Sequence, residues 1–205
     1  MSSKEQDDTK TMGLLARARA GDRAAYDELF SRVAERVLFF LRLRLGPALG
    51  GKIEPIDLLQ ETYAEAHRAF PNFEYAGEGS FVRWLCRIGE NQIREAADHF
   101  AAAKRRPPGE ALAVTRVLER VRATATGPGT AFAREESRQL LAQAILALGE
   151  EEREAVLLRF FQGRTIDEIA RTLGRSPTAI RRLLGRAAAS LGSLRRVGGM
   201  ETTGL

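Results

Sequence analysis

Histidine and cysteine are nearly absent: among 205 residues there are two histidines and one cysteine, Cys86. No internal disulfide can form, and His67, His99 and Cys86 do not make up a Cys/His zinc cluster, so neither a metal nor another cofactor is expected. There is no P-loop, no GxGxxG after a strand, no HExxH and no GxSxG, so an enzyme is not expected. The acids of Glu150 to Glu154 read as a solvated helix start rather than an acid/base pair, because carboxylates belong near a helix N-terminus. Long apolar runs are missing too. The longest, Val37 to Leu41, is far too short to span a bilayer, and the N-terminus MSSKEQDDTK lacks the apolar stretch of a secretory signal. These absences predict a cytoplasmic protein without membrane insertion. Nowhere do polar and apolar residues alternate over a strand's length, which excludes a sheet protein.

What is present is helical periodicity, with Leu, Ile, Phe and Ala recurring at i, i+3, i+4. After a disordered start, a short helix is predicted to about Ala20, and Gly21 with Asp22 separates it from a long one over Arg23 to Leu45. Gly46 and Pro47 are expected to stop that helix. A third follows Pro55 to about Phe70, the loop PNFEYAGEGS comes next, and Ser80 is predicted to cap a fourth helix to about Phe100. Residues 101–133 then shift to KRRPPGE, a weakly helical ALAVTRVLERVR and TATGPGT, which reads as a linker. Periodicity resumes in Leu140, Leu141, Ala144, Ile145 and Leu148, and again from Ala155 to Phe161. The expected fold is all-α: two small helical domains, 12–100 and 134–197, joined by a flexible linker, with a loose tail after Arg196.

Acid is missing from one further stretch. Between Thr172 and Arg196 there is no Asp or Glu, while Arg175, Arg181, Arg182, Arg186, Arg195 and Arg196 supply six positive charges. Just before it, Thr165 and Glu168 form a capping box, Ile166, Ile169, Ala170 and Leu173 make one buried stripe, and Gly174 suits a sharp stop. Ser176 as cap with Pro177 behind it starts the next helix at once. Two short helices meeting at such a corner are the helix-turn-helix signature. On the second, Ile180, Leu183, Leu184, Ala187 and Leu191 share a face, leaving Thr178, Arg181, Arg182 and Arg186 on the other. A solvated helix ordinarily mixes signs, so a one-sign face predicts a polyanion opposite it, as in the major groove of DNA. The net charge of +5 agrees but is weak evidence by itself.

Two stretches of the first domain are also patterned. In PIDLLQETYAEAHRAF, Leu59, Tyr63 and Ala66 pack inward, while Asp57, Gln60 and Glu61 line an outer face. Like charges at i, i+4 cost a few tenths of a kcal/mol, so the strip suggests a basic partner surface. In SFVRWLCRIGENQIRE, Phe81, Trp84, Leu85 and Ile88 are expected to form the buried stripe, with Arg83, Arg87, Asn91 and Arg94 on a neighbouring face. Trp84 alone reads first as a core residue. Unpaired bases stack on aromatic and guanidinium planes at about 1 to 3 kcal/mol per base, and the preceding loop offers Asn72, Phe73 and Tyr75.

These two blocks, in this order and followed by LALGEEEREAVLLRFFQGRTIDEIARTLGRSPTAIRRLLGRAAASL, resemble the extracytoplasmic-function sigma factors of bacterial RNA polymerase, and the likeness covers most of the chain. The resemblance implies that Asp57, Gln60 and Glu61, matching the family's DxxQE motif, meet the clamp helices of the polymerase's largest subunit. It implies minus-10 contacts, with melted DNA, from Asn72, Phe73, Arg83, Trp84, Arg87, Asn91 and Arg94. Double-stranded minus-35 DNA would be met by Arg175, Ser176, Thr178, Arg181, Arg182 and Arg186. The polymerase flap region and an anti-sigma factor are further implied partners. Two promoter elements about two helical turns apart lie roughly 70 Å from one another, whereas a free linker of about 30 residues spans near 30 Å. The polymerase would therefore hold it stretched, through the RNA exit path, where Lys104, Arg105 and Arg106 would suit. Gly89, Gly149, Leu183, Gly185 and Ala188 depart from the usual family residues, and a glycine inside a helix costs roughly 1 kcal/mol relative to alanine. The rival reading is a stand-alone helix-turn-helix regulator working without polymerase, which has no need of DLLQET or FVRWLCRIGEN.

Overall fold

The structure, a computed structural model, describes residues 3–49, 52–103 and 128–197. Every regular element among the described residues is helical, as the periodicity predicts. The chain divides into two compact units, Met1–Ala125 and Thr126–Leu205.

The first unit holds α1 (Ser3–Arg19), α2 (Arg23–Leu49), α3 (Pro55–Ala69) and α4 (Ser80–Ala103), with a short 3₁₀ turn over Phe70–Asn72. Asp22 begins α2: its carboxylate accepts the Ala25 amide at 3.0 Å and the Arg17 guanidinium at 2.6 Å. On α2 the residues Phe30, Ala34, Val37 and Leu41 recur at helical spacing and are all essentially buried. Phe30 is the hub of an aromatic cluster, with Tyr26 stacked at 4.3 Å and Tyr63 and Phe81 edge-on at 4.9 and 5.1 Å. Each buried Phe or Leu side chain contributes about 1.5–3 kcal/mol. The Tyr63 hydroxyl donates to the Phe30 carbonyl at 3.1 Å, which satisfies its one polar atom inside that cluster. Gly89 of α4 lies so near α2 and α3 that an added Cβ would stand 2.6 Å from Leu41 Cδ2 and 3.2 Å from Thr62 Oγ1.

Several sequence expectations are corrected in this unit. The start, expected to be disordered, is helical from Ser3; it has no apolar stripe to announce it, but Lys, Glu and Gln are good helix formers that extend the packed part. The long helix passes Gly46 and Pro47 and ends at Leu49, because proline's fixed φ is itself helical and it removes one backbone bond close to the helix end. Ser80 is the first residue of α4 and not its cap: its Oγ is buried without a partner. Gly79, with φ +71, offers its carbonyl to the Arg83 amide in the cap's place.

The second unit holds α5 (Pro128–Leu146), α6 (Glu150–Val156), a π-helical turn over Leu157–Phe161, α7 (Ile166–Leu173) and α8 (Pro177–Val197). Since α5 starts at Pro128, the expected linker of 101–133 gives up its last residues to a helix. Lys104, Arg105 and Arg106 lie outside the described residues. Ala155, Leu158, Ile169, Ala170, Ile180 and Leu183 form one core cluster, and Leu148, Val156 and Ala187 a second. The run from Ala155 to Phe161, read as plain helix, widens into the π turn and leaves Phe160 67% exposed.

Candidate functional site

On α3, Leu58, Leu59, Thr62, Tyr63 and Ala66 face inward. Asp57 and Glu61 are exposed and Gln60 is half-buried, so the predicted outer strip exists. Desolvation first, then the charges of Asp57 and Glu95, raise the Glu61 carboxyl above its ordinary value. Glu95, exposed on α4, therefore belongs to the same acidic ridge. Sequence reasoning missed it because the contact crosses two helices. Among the described residues, none of the three carboxylates has an ion-pair partner. Such a ridge is self-repelling when alone and attractive to a cationic surface.

The second predicted group separates into two environments. Phe73 is 4% exposed, seated against Phe81 at 5.4 Å and Trp84 at 4.8 Å. Its ring is core and presents no face for a base, which corrects the expectation that it stacks on melted DNA. Its carbonyl accepts from Arg19, and the Tyr75 hydroxyl donates to Asp8, so α1 holds the first half of that loop. Trp84 and Ile88, expected in the buried stripe, are half-buried; Val82, Cys86 and Ile93 are buried instead. Trp84 lines an open groove of about 430 Å³ together with Asn91, Gln92, Arg68 and the carboxylates of Glu65 and Glu95. Asn72, Arg87, Asn91 and Arg94 are exposed. Arg83 donates to the Glu78 carbonyl at 2.8 Å, and Arg94 lies 3.4 Å from Glu90.

In the second unit the corner forms as its residues dictate. The Thr165 amide donates to Glu168 Oε2 at 2.7 Å and the Glu168 amide to Thr165 Oγ1 at 3.2 Å. The bond from the Thr165 backbone holds the Glu168 carboxyl below its ordinary range. Gly174 takes the left-handed conformation at φ 61, and Ser176 Oγ accepts the Ala179 amide at 3.2 Å. Buried Ile180, Leu183 and Ala187 turn Thr178, Arg181, Arg182 and Arg186 outward, all exposed.

The one-sign face is not wholly uncompensated, and this corrects the sequence reading. Arg175 pairs with Glu151 at 2.5 Å and Arg186 with Glu152 at 2.7 Å. The acids come from the first turn of α6, which the count between Thr172 and Arg196 could not see. Arg181 and Arg182 have no ion-pair partner among the described residues; the side chains of Arg195 and Arg196 lie outside them.

Burial pushes the Cys86 thiol up to about 12, so it stays protonated and unreactive. Among the described residues no group of three or more His, Cys, Asp or Glu is placed to hold a metal ion, and no helix is long and apolar enough to cross a membrane.

Residues 138–191 match a family model described as Sigma-70, region 4. The chain is 32% identical over 193 residues to the ECF RNA polymerase sigma factor BldN of Streptomyces coelicolor, covering 93% of this chain and 67% of that one. It is 30% identical over 174 residues to the RNA polymerase sigma-H factor of Pseudomonas aeruginosa, covering 83% of each. A solved structure of CnrH in complex with the cytosolic domain of CnrY is 23% identical, with a TM-score of 0.48 over 92% of this chain and 98% of that one.

Proposed function

Because the chain belongs to the extracytoplasmic-function sigma factors of the sigma-70 family, we propose that its two units divide between them the binding of core RNA polymerase and the reading of a promoter. A factor of this family is an initiation factor and not an enzyme: it joins core polymerase, recognises the minus-10 and minus-35 elements and promotes the start of transcription. Asp57, Gln60 and Glu61, extended by Glu95, form the surface that meets the basic clamp of the largest subunit. Arg87, Asn91, Arg94, Arg83 and Asn72 line the way for melted minus-10 DNA, with Trp84 as the aromatic able to receive a base. Arg175, Ser176, Thr178, Arg181, Arg182 and Arg186 meet the minus-35 duplex. The cytoplasm, where polymerase works, is the site of action, and an anti-sigma factor is a candidate second partner.

The observation that carries this reading is the pair Arg181 and Arg182, exposed and without an ion-pair partner among the described residues, on the outer face of a helix whose inner face is Ile180, Leu183 and Ala187. A stand-alone regulator would use that helix too, but it gives no role to the acidic ridge. Two double variants test the division. Asp57→Ala with Glu61→Ala should abolish co-purification with core polymerase. Arg181→Ala with Arg182→Ala should leave that binding intact and abolish initiation that depends on the upstream element. A ridge variant that binds polymerase at full strength would overturn the assignment.

A further inference from the structure

The acids that open α6 need an account beyond a favourable helix start. Carboxylates are favoured in a first turn, and that suffices for Glu150, which is exposed. It does not suffice for Glu152, whose side chain is only 19% exposed and whose Oε1 accepts the Arg186 Nε proton at 2.7 Å. Ala187, the chain neighbour of Arg186, belongs to the apolar seam of Leu148, Val156 and Ala187, against which Leu184 and Leu191 also pack. The Arg186 side chain is 56% exposed, so it is the burial of Glu152 that makes this pair less screened than one between two exposed groups. By contrast Arg175 spends both Nε and Nη2 on one oxygen of Glu151, at 3.2 and 2.5 Å, with both side chains about half exposed. That is an ordinary surface pair.

The atoms used on Arg186 matter. With Nε bound to Glu152, the terminal edge carrying the two Nη groups keeps no partner among the described residues. We propose that Glu152 is a positioning residue for promoter reading: it fixes the Arg186 guanidinium so that its terminal edge is presented end-on to a guanine in the major groove. The proposal rests on the reading of α8 as the DNA-facing helix. An end-on guanidinium donates to guanine O6 and N7 together, and holding the planar fork in advance removes ordering cost at the moment of binding. Because its charge is already offset by Glu152, Arg186 adds little to the release of counterions from DNA. Sequence preference comes from Arg186, and salt-dependent affinity from Arg181 and Arg182.

The test uses holoenzyme formed from core polymerase and the full chain, selecting promoter DNA from a library with the upstream element randomised, at several salt concentrations. Arg186→Ala and Glu152→Gln should lose preference at the same base pairs, by roughly five- to a hundredfold. Glu152→Asp, which keeps the carboxylate, should restore part of that preference. Arg186→Ala combined with Glu152→Gln, which removes both charges of the pair, should leave the slope of log affinity against log salt nearly unchanged, whereas Glu152→Gln alone, which frees the Arg186 charge, should steepen it by about one. Unaltered base preference in Glu152→Gln overturns the proposal, as does a slope in the Arg186→Ala, Glu152→Gln double variant that falls by about one while every sequence weakens equally. If Arg181→Ala, Arg182→Ala and Arg186→Ala together change nothing, it is the DNA-facing reading of α8 that fails. The Glu152→Gln change is isosteric, and polymerase binding through the separate first unit reports that each variant holoenzyme has formed.

Discussion

Arg44 on α2 and Glu90 on α4 form a two-pronged ion pair inside the first unit, with 14% and 8% of their side chains exposed. Arg44 Nη2 donates to Glu90 Oε1 at 2.8 Å and Nε donates to Oε2. Removing Glu90 takes both of these bonds from an Arg44 side chain that is only 14% exposed. Glu90→Ala should therefore cost about 3–5 kcal/mol in the urea unfolding of the first unit. Replacing both, Arg44→Met with Glu90→Leu, should cost clearly less, since two charges then leave the interior together.

Two glycines in helices should respond in opposite directions to the same change. Gly89→Ala gains helix propensity of about 1 kcal/mol but drives a methyl to within 2.6 Å of Leu41, itself fully buried, so something must shift. Overpacking of that kind costs about 1–3 kcal/mol, and the net effect should be a loss of stability. Gly185 has open space where its Cβ would be, so Gly185→Ala should stabilise the second unit by up to about 1 kcal/mol. Thermal melts of the two variants give the signs.

Glu61 should give the ridge a pH signature. Its folded carboxyl is raised above the ordinary 4.5 by desolvation, Asp57 and Glu95. The folded state thus holds that proton more tightly than the unfolded one, so this group's penalty is present at neutral pH and is relieved as pH falls through the raised value toward 4.5. Polymerase binding runs the other way, because a cationic surface favours the ionised form. Relative to Glu61→Gln, the natural chain should gain stability and lose polymerase affinity over that window, measured by melts and by retention on immobilised core enzyme.

What could be read without a structure was whatever is local in the chain. Thr165, Glu168, Gly174, Ser176 and Pro177 lie within one short stretch and interact with neighbours three or four residues away, so the corner was legible residue by residue. Asp57, Gln60 and Glu61 were legible by the same periodicity. Contacts between helices were not. Glu152 reaches Arg186, Glu90 reaches Arg44 and Glu95 bears on Glu61 only once the helices have packed, and no spacing rule names such partners. Gly89 looked like a weak point of α4 because propensity is a property of one helix, whereas the crowding that needs a glycine comes from two others. Phe73 looked like an offered ring because it sits in a loop, yet it closes the aromatic core.

Run-off transcription from a mapped start site, with core polymerase and this chain as the only proteins, tests the central claim most directly. The account predicts specific initiation with the natural chain, none with core enzyme alone, and none with the Asp57→Ala, Glu61→Ala variant. Specific, tight operator binding by the free chain, together with no affinity for core polymerase and no run-off product, would contradict it.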